Sequence, residues 1–346
     1  MKVLVNSSDT GGCGQFRIIQ PYLQIKSEIE FHLNTTGKIM PEVAFQYDAV
    51  VFQRPTESEM IPFIKELKEE GVITVIEIDD DLFSLEKINP SYRFYTKEKL
   101  LTFRTILEAA DYIHVSTPQL KNRIGLPEKT AIFLNAIDLK KYGNKAEIKK
   151  AVKEKYNITA EKTVMWSGGI NHIDSLEILV PVIKQLMREK ITVVMNCSRD
   201  WLNALGFIES EYLKIIPDVP FDEYHNILSI ADIGLCPLPN TTFNRSKSEL
   251  KCIQYGAWGI PTICSPVAPF ERFNRLGGAN IIVKNDKQKT WMHEIHALLN
   301  NNDMYNFMSL GCRFVVEDYY NLETVNKKRA DWWEKVLIKK LSSELA

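Results

Sequence analysis

Residues 231–270 read ADIGLCPLPNTTFNRSKSELKCIQYGAWGIPTICSPVAPF, and the architecture can be read outward from them. The apolar run IGLCPL (233–238) reads as a buried strand that delivers a proline-bearing loop. The loop brings Asn244, Arg245, Lys247 and Ser248, a helix is expected over Ser248–Trp258, and the apolar run PTICS (261–265) reads as the next strand. Strand, loop, helix and strand in that order make one unit of a parallel sheet. A helix start preceded by cations is also expected to hold an anion. Its free amides and dipole favour phosphate, Arg245 and Lys247 add charge, and Ser248 serves as N-cap or first-turn residue. A lone S-K-S would fit a plainly capped helix with solvated cations better. The combination with the small-residue helix end GAWG and the strand after it favours the binding loop.

The same alternation runs outward in both directions. Upstream, strands are expected at Lys2–Asn6, Ile29–Leu33, Ala49–Gln53, Ile73–Ile78, Tyr112–Val115 and Ala131–Leu134, with helices over Gln15–Leu23, Glu57–Glu70 and Lys97–Ala110. Residues 1–142 form one doubly wound domain on this reading. Residues 143–161 are charged, with little apolar content, and read as a linker or thinly packed helix. A second alternation occupies 162–320. It runs through TVMWSGG, the helix Asp174–Arg188, ITVVMNC, a strand near Leu213–Ile216, the helix Asp222–Ala231, the stretch quoted above and NIIVK. From Lys287 onward three helices are expected, and residues 321–346, with Trp332, Trp333, Val336 and Leu337, are expected to pack back toward the first domain. Two such α/β domains place ligands at the carboxyl ends of their strands, in the cleft between them.

Composition narrows the function classes. The 346 residues are 45% hydrophobic and 25% charged with a formal net charge of −1, which excludes a surface that is basic throughout and leaves only a local basic cleft for a polyanion. No apolar run approaches the roughly 18 residues of a membrane span, so no integral membrane contact and a cytoplasmic location are expected. The six cysteines form no C-x-x-C pair and read as reduced, buried small hydrophobes, with no metal or disulfide role.

Four further segments present candidate chemistry at strand ends. NSSDTGGCGQFR (6–17) sets Gly11, Gly12 and Gly14 in a loop between strand and helix, without the G-x-G-x-x-G spacing of a dinucleotide site. VMWSGGINHIDSLE (164–177) does the same with Gly168 and Gly169, and His172 is its one candidate donor. EIDDDLF (77–83) invites a divalent-metal reading. Alternate strand residues point to opposite faces, however, so only Asp79 and Asp81 could converge. PDVPFDEY (217–224) offers Val219, Pro220 and Phe221 as apolar walls or plain packing anchors. His114, inside ADYIHVSTPQL, reads as structural.

Pro237, Leu238, Phe243, Asn244, Arg245, Lys247, Ser248, Leu250, Lys251, Ala257, Gly259, Ile260, Pro261 and Ser265 together resemble the donor-site pattern of the nucleotide-sugar-dependent glycosyltransferases of the GT-B fold. The resemblance is to the large family-four-like group of retaining enzymes, in the subgroup found in O-antigen and capsule clusters and phage genomes. It implies two Rossmann-like domains facing a cleft, closed by C-terminal helices. Asn244 and Ser248 would bind the donor, and the loop of Gly168 and Gly169 would face its pyrophosphate. That loop lacks the family's usual Arg and Lys, so His172, Arg245, Lys247 and Arg199 are left to meet the charge. Gln254 stands where a glutamate usually holds the ribose hydroxyls, and Ser246 where the first of the paired acids falls. Val219 and Phe221 would bracket the base, and the first loop, with Gly11, Gly12 and Gly14, would approach the donor phosphates from the acceptor side. I-D-D-D-L-F implies that Asp79 or Asp80 faces the sugar or orients the acceptor hydroxyl, without a metal. NAID (135–138) resembles the family's N-G-I-D at the close of the first domain.

What the resemblance implies is a metal-independent glycosyltransferase acting with retention, with no cofactor beyond a UDP- or GDP-sugar donor and with Asp79, Asp80, Arg245 and Lys247 as catalytic residues. The acceptor is expected to be a glycan or lipid-linked saccharide, because residues 1–142 are slightly acidic by count. A basic rim of Arg17, Arg54, Arg93, Arg104 and Lys121 would instead favour hydroxylated or hydroxymethylated pyrimidine bases of phage DNA. Two other readings remain: a non-catalytic nucleotide-sugar-binding module, and a sugar-nucleotide epimerase or phosphorylase. The latter would show paired acids or a cofactor lysine.

Overall fold

The computed structural model describes residues 1–169, 172–277 and 280–344. Twelve strands fall in chain order: β1 (Lys2–Asn6), β2 (Glu30–Asn34), β3 (Ala49–Gln53), β4 (Ile73–Ile78), β5 (Tyr112–Val115), β6 (Thr130–Ile132), β7 (Thr163–Ser167), β8 (Thr192–Asn196), β9 (Leu213–Ile216), β10 (Ile233–Cys236), β11 (Thr262–Cys264) and β12 (Asn280–Ile282). They form two six-stranded sheets, ordered β2-β1-β3-β4-β5-β6 and β12-β11-β10-β7-β8-β9. Every pairing is parallel. All carboxyl ends of a sheet therefore lie along one side. The second half repeats the first in kind, but its strand order reverses between β7 and β10, where the first reverses between β1 and β3. Loops at such reversals diverge to opposite faces and open a crevice.

Helices cover both faces of both sheets, so the strands read as continuous apolar runs. In the first sheet Val50, Phe52, Ile76 and Ile78 face one core, and Val3, Val5, Val51 and Val75 the other. In the second, Val164, Trp166, Val193 and Met195 oppose Met165, Val194, Ile216 and Cys236. The charged stretch after residue 142 is a helix, Lys145–Lys155, started by Asn144, whose side chain accepts from the Ala146 and Glu147 amides. Its Val152, with Ile158 just beyond, joins the second half's core. The last helix, Leu322–Glu344, packs Trp333 and Leu337 against the first sheet. The two chain crossings between halves are themselves bonded, Ile137 N to Tyr320 O at 3.0 Å and Leu322 N to Ile137 O at 2.9 Å. No helix among the described residues is long and apolar enough to cross a membrane.

Two local departures matter for the site. The helix expected over Ser248–Trp258 runs over Leu250–Gly256, and a separate short helix, Thr242–Arg245, occupies part of the loop before it. Ser248 is not its N-cap, because its hydroxyl accepts from Asn135 across the cleft at 2.7 Å. The helix after β1 begins at Gly12 and widens to a π-type turn over Gln15–Ile19 before continuing through Gln20–Gln24. That turn holds Arg17 buried.

Candidate active site

A cavity of about 470 Å³ opens where the carboxyl ends of the two sheets meet, within the range of small-molecule sites. A smaller chamber of about 180 Å³ adjoins it, sharing Cys13, Asp79, Asn135, Ser167, His172 and Lys251. From the first half come the loop after β1 (Thr10, Gly11, Gly12), Phe16, Arg17, and the ends of β4 and β6. From the second come Gly168 and Gly169 after β7, Asn196, Asp218, Val219, Phe221, Lys247, Ser248 and Gln254. The strand-order reversals thus supply the loops on both walls.

Each loop is held by specific contacts. Gln53, at the end of β3, accepts from the Ser7 hydroxyl and the Ser8 amide, both at 3.0 Å, which fixes the loop after β1. Gly168 packs so closely on the Trp166 ring that a Cβ would sit 2.7 Å from it. Asn196 accepts from Ser167 at 3.1 Å and donates to the Ile216 and Pro217 carbonyls, tying the loop that carries Asp218 and Val219 to β8. Phe16 meets Phe221 edge to face at 5.2 Å across the cleft. Thr117 donates to the Ser246 carbonyl at 2.8 Å, so the loop bearing Lys247 is bonded to both halves.

The charged groups are arranged unevenly. Asp79 and Asp80 follow β4 directly, and Lys247 lies 3.6 Å from Asp80. Burial alone would raise the Asp79 carboxyl, but Arg54, the Cys13 thiol, Arg17 and Lys247 hold it below the usual range. Burial dominates at Asp80 and, with the Asp79 charge, pushes it up against the pull of Lys247. Two neighbouring carboxyls driven apart in this way suit different roles. Lys251 donates to the Tyr224 hydroxyl at 2.8 Å, which is 2.9 Å from that of Ser167. His172 is driven down to about 3 by burial and then by Lys247 and Lys251, so it lines the cavity as a neutral imidazole. It is not a cation for phosphate. Three buried polar atoms of lining residues make no hydrogen bond among the described residues: Arg17 Nη2, Gln254 Oε1 and Asp79 Oδ1, the last with only a 3.9 Å ion pair to Arg54. Buried polar groups are normally paired, so unpaired atoms at a cavity wall are open to a ligand's polar groups.

Of the residues expected from the sequence, Asp79, Asp80, Gly11, Gly12, Gly168, Gly169, His172, Val219, Phe221, Lys247, Ser248 and Gln254 line the cavity or its chamber. Four do not. Arg245 is exposed at the end of its short helix and donates to Asn240 at 2.7 Å. Arg199 is paired with Glu209 at 2.6 Å. Asn244 is buried and donates to the Pro239 carbonyl at 3.0 Å, within its own loop. Gly14 serves packing, since a Cβ there would lie 1.8 Å from the Asp9 carbonyl oxygen. Asp81 does not converge with Asp79, because β4 ends at Ile78 and Asp81 turns to Arg123 at 2.8 Å. The basic rim is not assembled either: Arg104 pairs with Glu108, Lys121 bonds the Thr130 carbonyl, and Arg54 pairs with Asp9. Of the five cations in question only Arg17 reaches the cavity lining.

Asn135, Ser167, Asn196, Tyr224 and Lys251 also line the cavity; the first two, Tyr224 and Lys251 lie within motifs read from the sequence without being singled out for a role of their own, and Asn196 lies outside them. Cys13 lines the cavity half-buried, unlike the other five thiols, which are buried. Cys236, Cys252 and Cys264 converge, their sulfurs within 4.8 Å of one another, from β10, β11 and the helix between them, a cluster that sequence spacing does not show.

No protein-family model and no curated protein matches the sequence. Solved structures match the fold over nearly the whole chain. HepE of Anabaena, solved with UDP and glucose, superposes with a TM-score of 0.74 at 11% identity, covering 96% of this chain and 99% of that one. Sucrose-phosphate synthase of Thermosynechococcus elongatus gives 0.71 at 13% identity, covering 98% and 99%. An alpha-glucosyltransferase in complex with UDP and a 13-mer DNA containing an HMU base gives 0.63 at 12% identity, covering 96% and 98%. At such identities the likeness concerns the backbone. The chain has the GT-B fold, two Rossmann-like domains of six parallel strands facing one cleft.

Proposed function

We propose that this protein is a glycosyltransferase that moves a sugar from a nucleoside-diphosphate donor to an acceptor hydroxyl with retention, without a metal, in the cytoplasm. The observation that carries the reading is the cavity itself. It sits at the strand-order reversals of both sheets and gathers Lys247 and Lys251 with unpartnered polar atoms from each half. The similar structures solved with UDP support the donor class. Val219 and Phe221 would flank the base, and Gln254 Oε1 would accept from a ribose hydroxyl.

On this reading the bond from the anomeric carbon to the phosphate oxygen breaks as the acceptor oxygen bonds the same face. The acceptor's proton passes to the leaving diphosphate. Lys247 and Lys251 would stabilise the charge growing on that diphosphate in a site with little water. Asp79, held ionised, would accept from the acceptor hydroxyl and orient it, while Asp80 keeps Lys247 in place until the donor's phosphate takes over. The chain's own cations carry the charge stabilisation, so turnover is expected to persist in EDTA.

The acceptor we favour is a glycan or lipid-linked saccharide, since residues 1–142 are slightly acidic by count and Arg104 and Lys121 are bonded to Glu108 and the Thr130 carbonyl rather than forming a basic rim. A DNA base is the second reading, favoured by the likeness to the DNA-bound alpha-glucosyltransferase. The test is turnover of a panel of UDP- and GDP-sugars with saccharide and HMU-containing DNA acceptors. Lys247→Ala should fold normally and lose turnover by about two orders of magnitude or more. Unchanged turnover in that variant would sink the mechanism. Nucleotide-sugar binding without turnover on any acceptor would favour the non-catalytic module.

A further inference from the structure

Arg17 is fully buried, yet its guanidinium is only partly used. Nε donates to Glu77 Oε1 at 2.7 Å, and Nη1 donates to the Phe133 carbonyl at 2.5 Å and to Asn135 Oδ1 at 2.9 Å. Nη2 has no partner, and the residue lines the large cavity. We infer that Arg17 is an anion-binding residue of the first half, and that its free Nη2 edge takes an oxygen of the donor's diphosphate opposite Lys247 and Lys251. The assignment rests on the reading that the cavity holds a nucleoside-diphosphate donor.

Three features of the structure argue for it. A guanidinium presents its N–H groups in a fixed planar fork, so bonds on two nitrogens set the direction of the third. The direction of Arg17 Nη2 is therefore fixed before any ligand arrives. The π-type turn at Gln15–Ile19 is what brings the side chain to the end of β4, where Glu77 meets it; such wide turns recur at functional sites. The same hydrogen-bond path continues across the cleft, since Asn135 Nδ2 donates to Ser248 Oγ at 2.7 Å, next in sequence to Lys247. Arg17 and Lys247 are thus tied to one frame from opposite walls. Glu77 does not fully cancel the Arg17 charge, because burial pushes its carboxyl up to about 7 despite Arg17 beside it.

The competing explanation is that Arg17 only pins the crossing at Phe133–Asn135 to β4. A pin has no reason to distinguish a nucleotide from its nucleoside. Calorimetric titration of the full chain with UDP, GDP, uridine and guanosine separates the two. Wild-type protein should bind one diphosphate much more tightly than its nucleoside. In Arg17→Lys that preference should fall about ten-fold or more, with nucleoside affinity within two-fold of wild type. Asn135→Asp, nearly isosteric, sets a carboxylate against Nη1 and should reduce the preference in the same sense, which keeps the test open if the lysine variant does not fold. An undiminished preference in a folded variant overturns the role of Arg17 alone. A wild-type protein with no preference for diphosphate over nucleoside overturns the donor-site reading and this assignment with it.

Discussion

Replacing Glu77 by glutamine tests whether burial or ion pairing governs the centre of the first half. Glu77 is 2% exposed and its Oε1 lies 2.7 Å from Arg17 Nε. Burial raises its carboxyl from an ordinary 4.5 to about 7, with Arg17 and Arg329 pulling the other way. Between those values the unfolded chain releases the proton while the folded chain keeps it. Folding stability from this group is therefore fully present below pH 4.5, declines as pH rises, and is lost above about 7. At about 1.4 kcal/mol per pH unit the loss is on the order of 3 kcal/mol. The glutamine side chain keeps the shape and an acceptor oxygen for Arg17 but cannot ionise. Urea denaturation of wild type and Glu77→Gln across pH 5 to 8 should show the variant gaining on wild type by most of that amount, largely below pH 7. Groups common to both proteins cancel in the difference. A difference that stays flat, or that turns against the variant as pH rises, would show that the Arg17 pair outweighs the cost of taking the carboxylate out of water.

Other outcomes follow from packing and thiol chemistry. Trp333→Ala empties a fully buried site against the first sheet and should lower unfolding stability by about 3–5 kcal/mol, read by denaturant melts. Gly168→Ala forces a methyl to within 2.7 Å of the Trp166 ring, so it should reduce donor binding and cost about 1–3 kcal/mol of stability. Iodoacetamide at pH 7.5 should modify the native cysteines slowly. Five are buried, and Cys13 is held protonated by Asp79 and by burial. All six should react once the chain is unfolded; rapid native labelling of Cys13 would contradict the electrostatics described for Asp79.

Much of the fold was legible because parallel strands buried on both faces leave an uninterrupted apolar run. Ala49–Gln53 and Ile73–Ile78 are such runs, and both appear with the expected bounds. The two edge strands of the first sheet, β2 and β6, slipped by a residue or two, because edge positions bury little. The loops after β1 and β7 were legible from their glycines, of which Gly14 against the Asp9 backbone and Gly168 against Trp166 are required by close approach. Arg245 and Arg199 illustrate the opposite case. Motif position put them in the cleft, but an exposed cation takes the nearest acceptor, here Asn240 and Glu209.

That there are two α/β halves, and which loops end their strands, is written along the chain, because it follows from local periodicity and the special geometry of glycine and proline. Which side chains share a cavity is written only in three dimensions. Asn135 reaches Ser248 across 113 positions, and Arg17 meets Glu77 across 60. Such meetings depend on strand order, on a widened helical turn and on the crossing that closes the cleft. Their energetics depend on burial, which drives His172 neutral and separates Asp79 from Asp80, and no spacing of residues along a chain records how much water a group has lost.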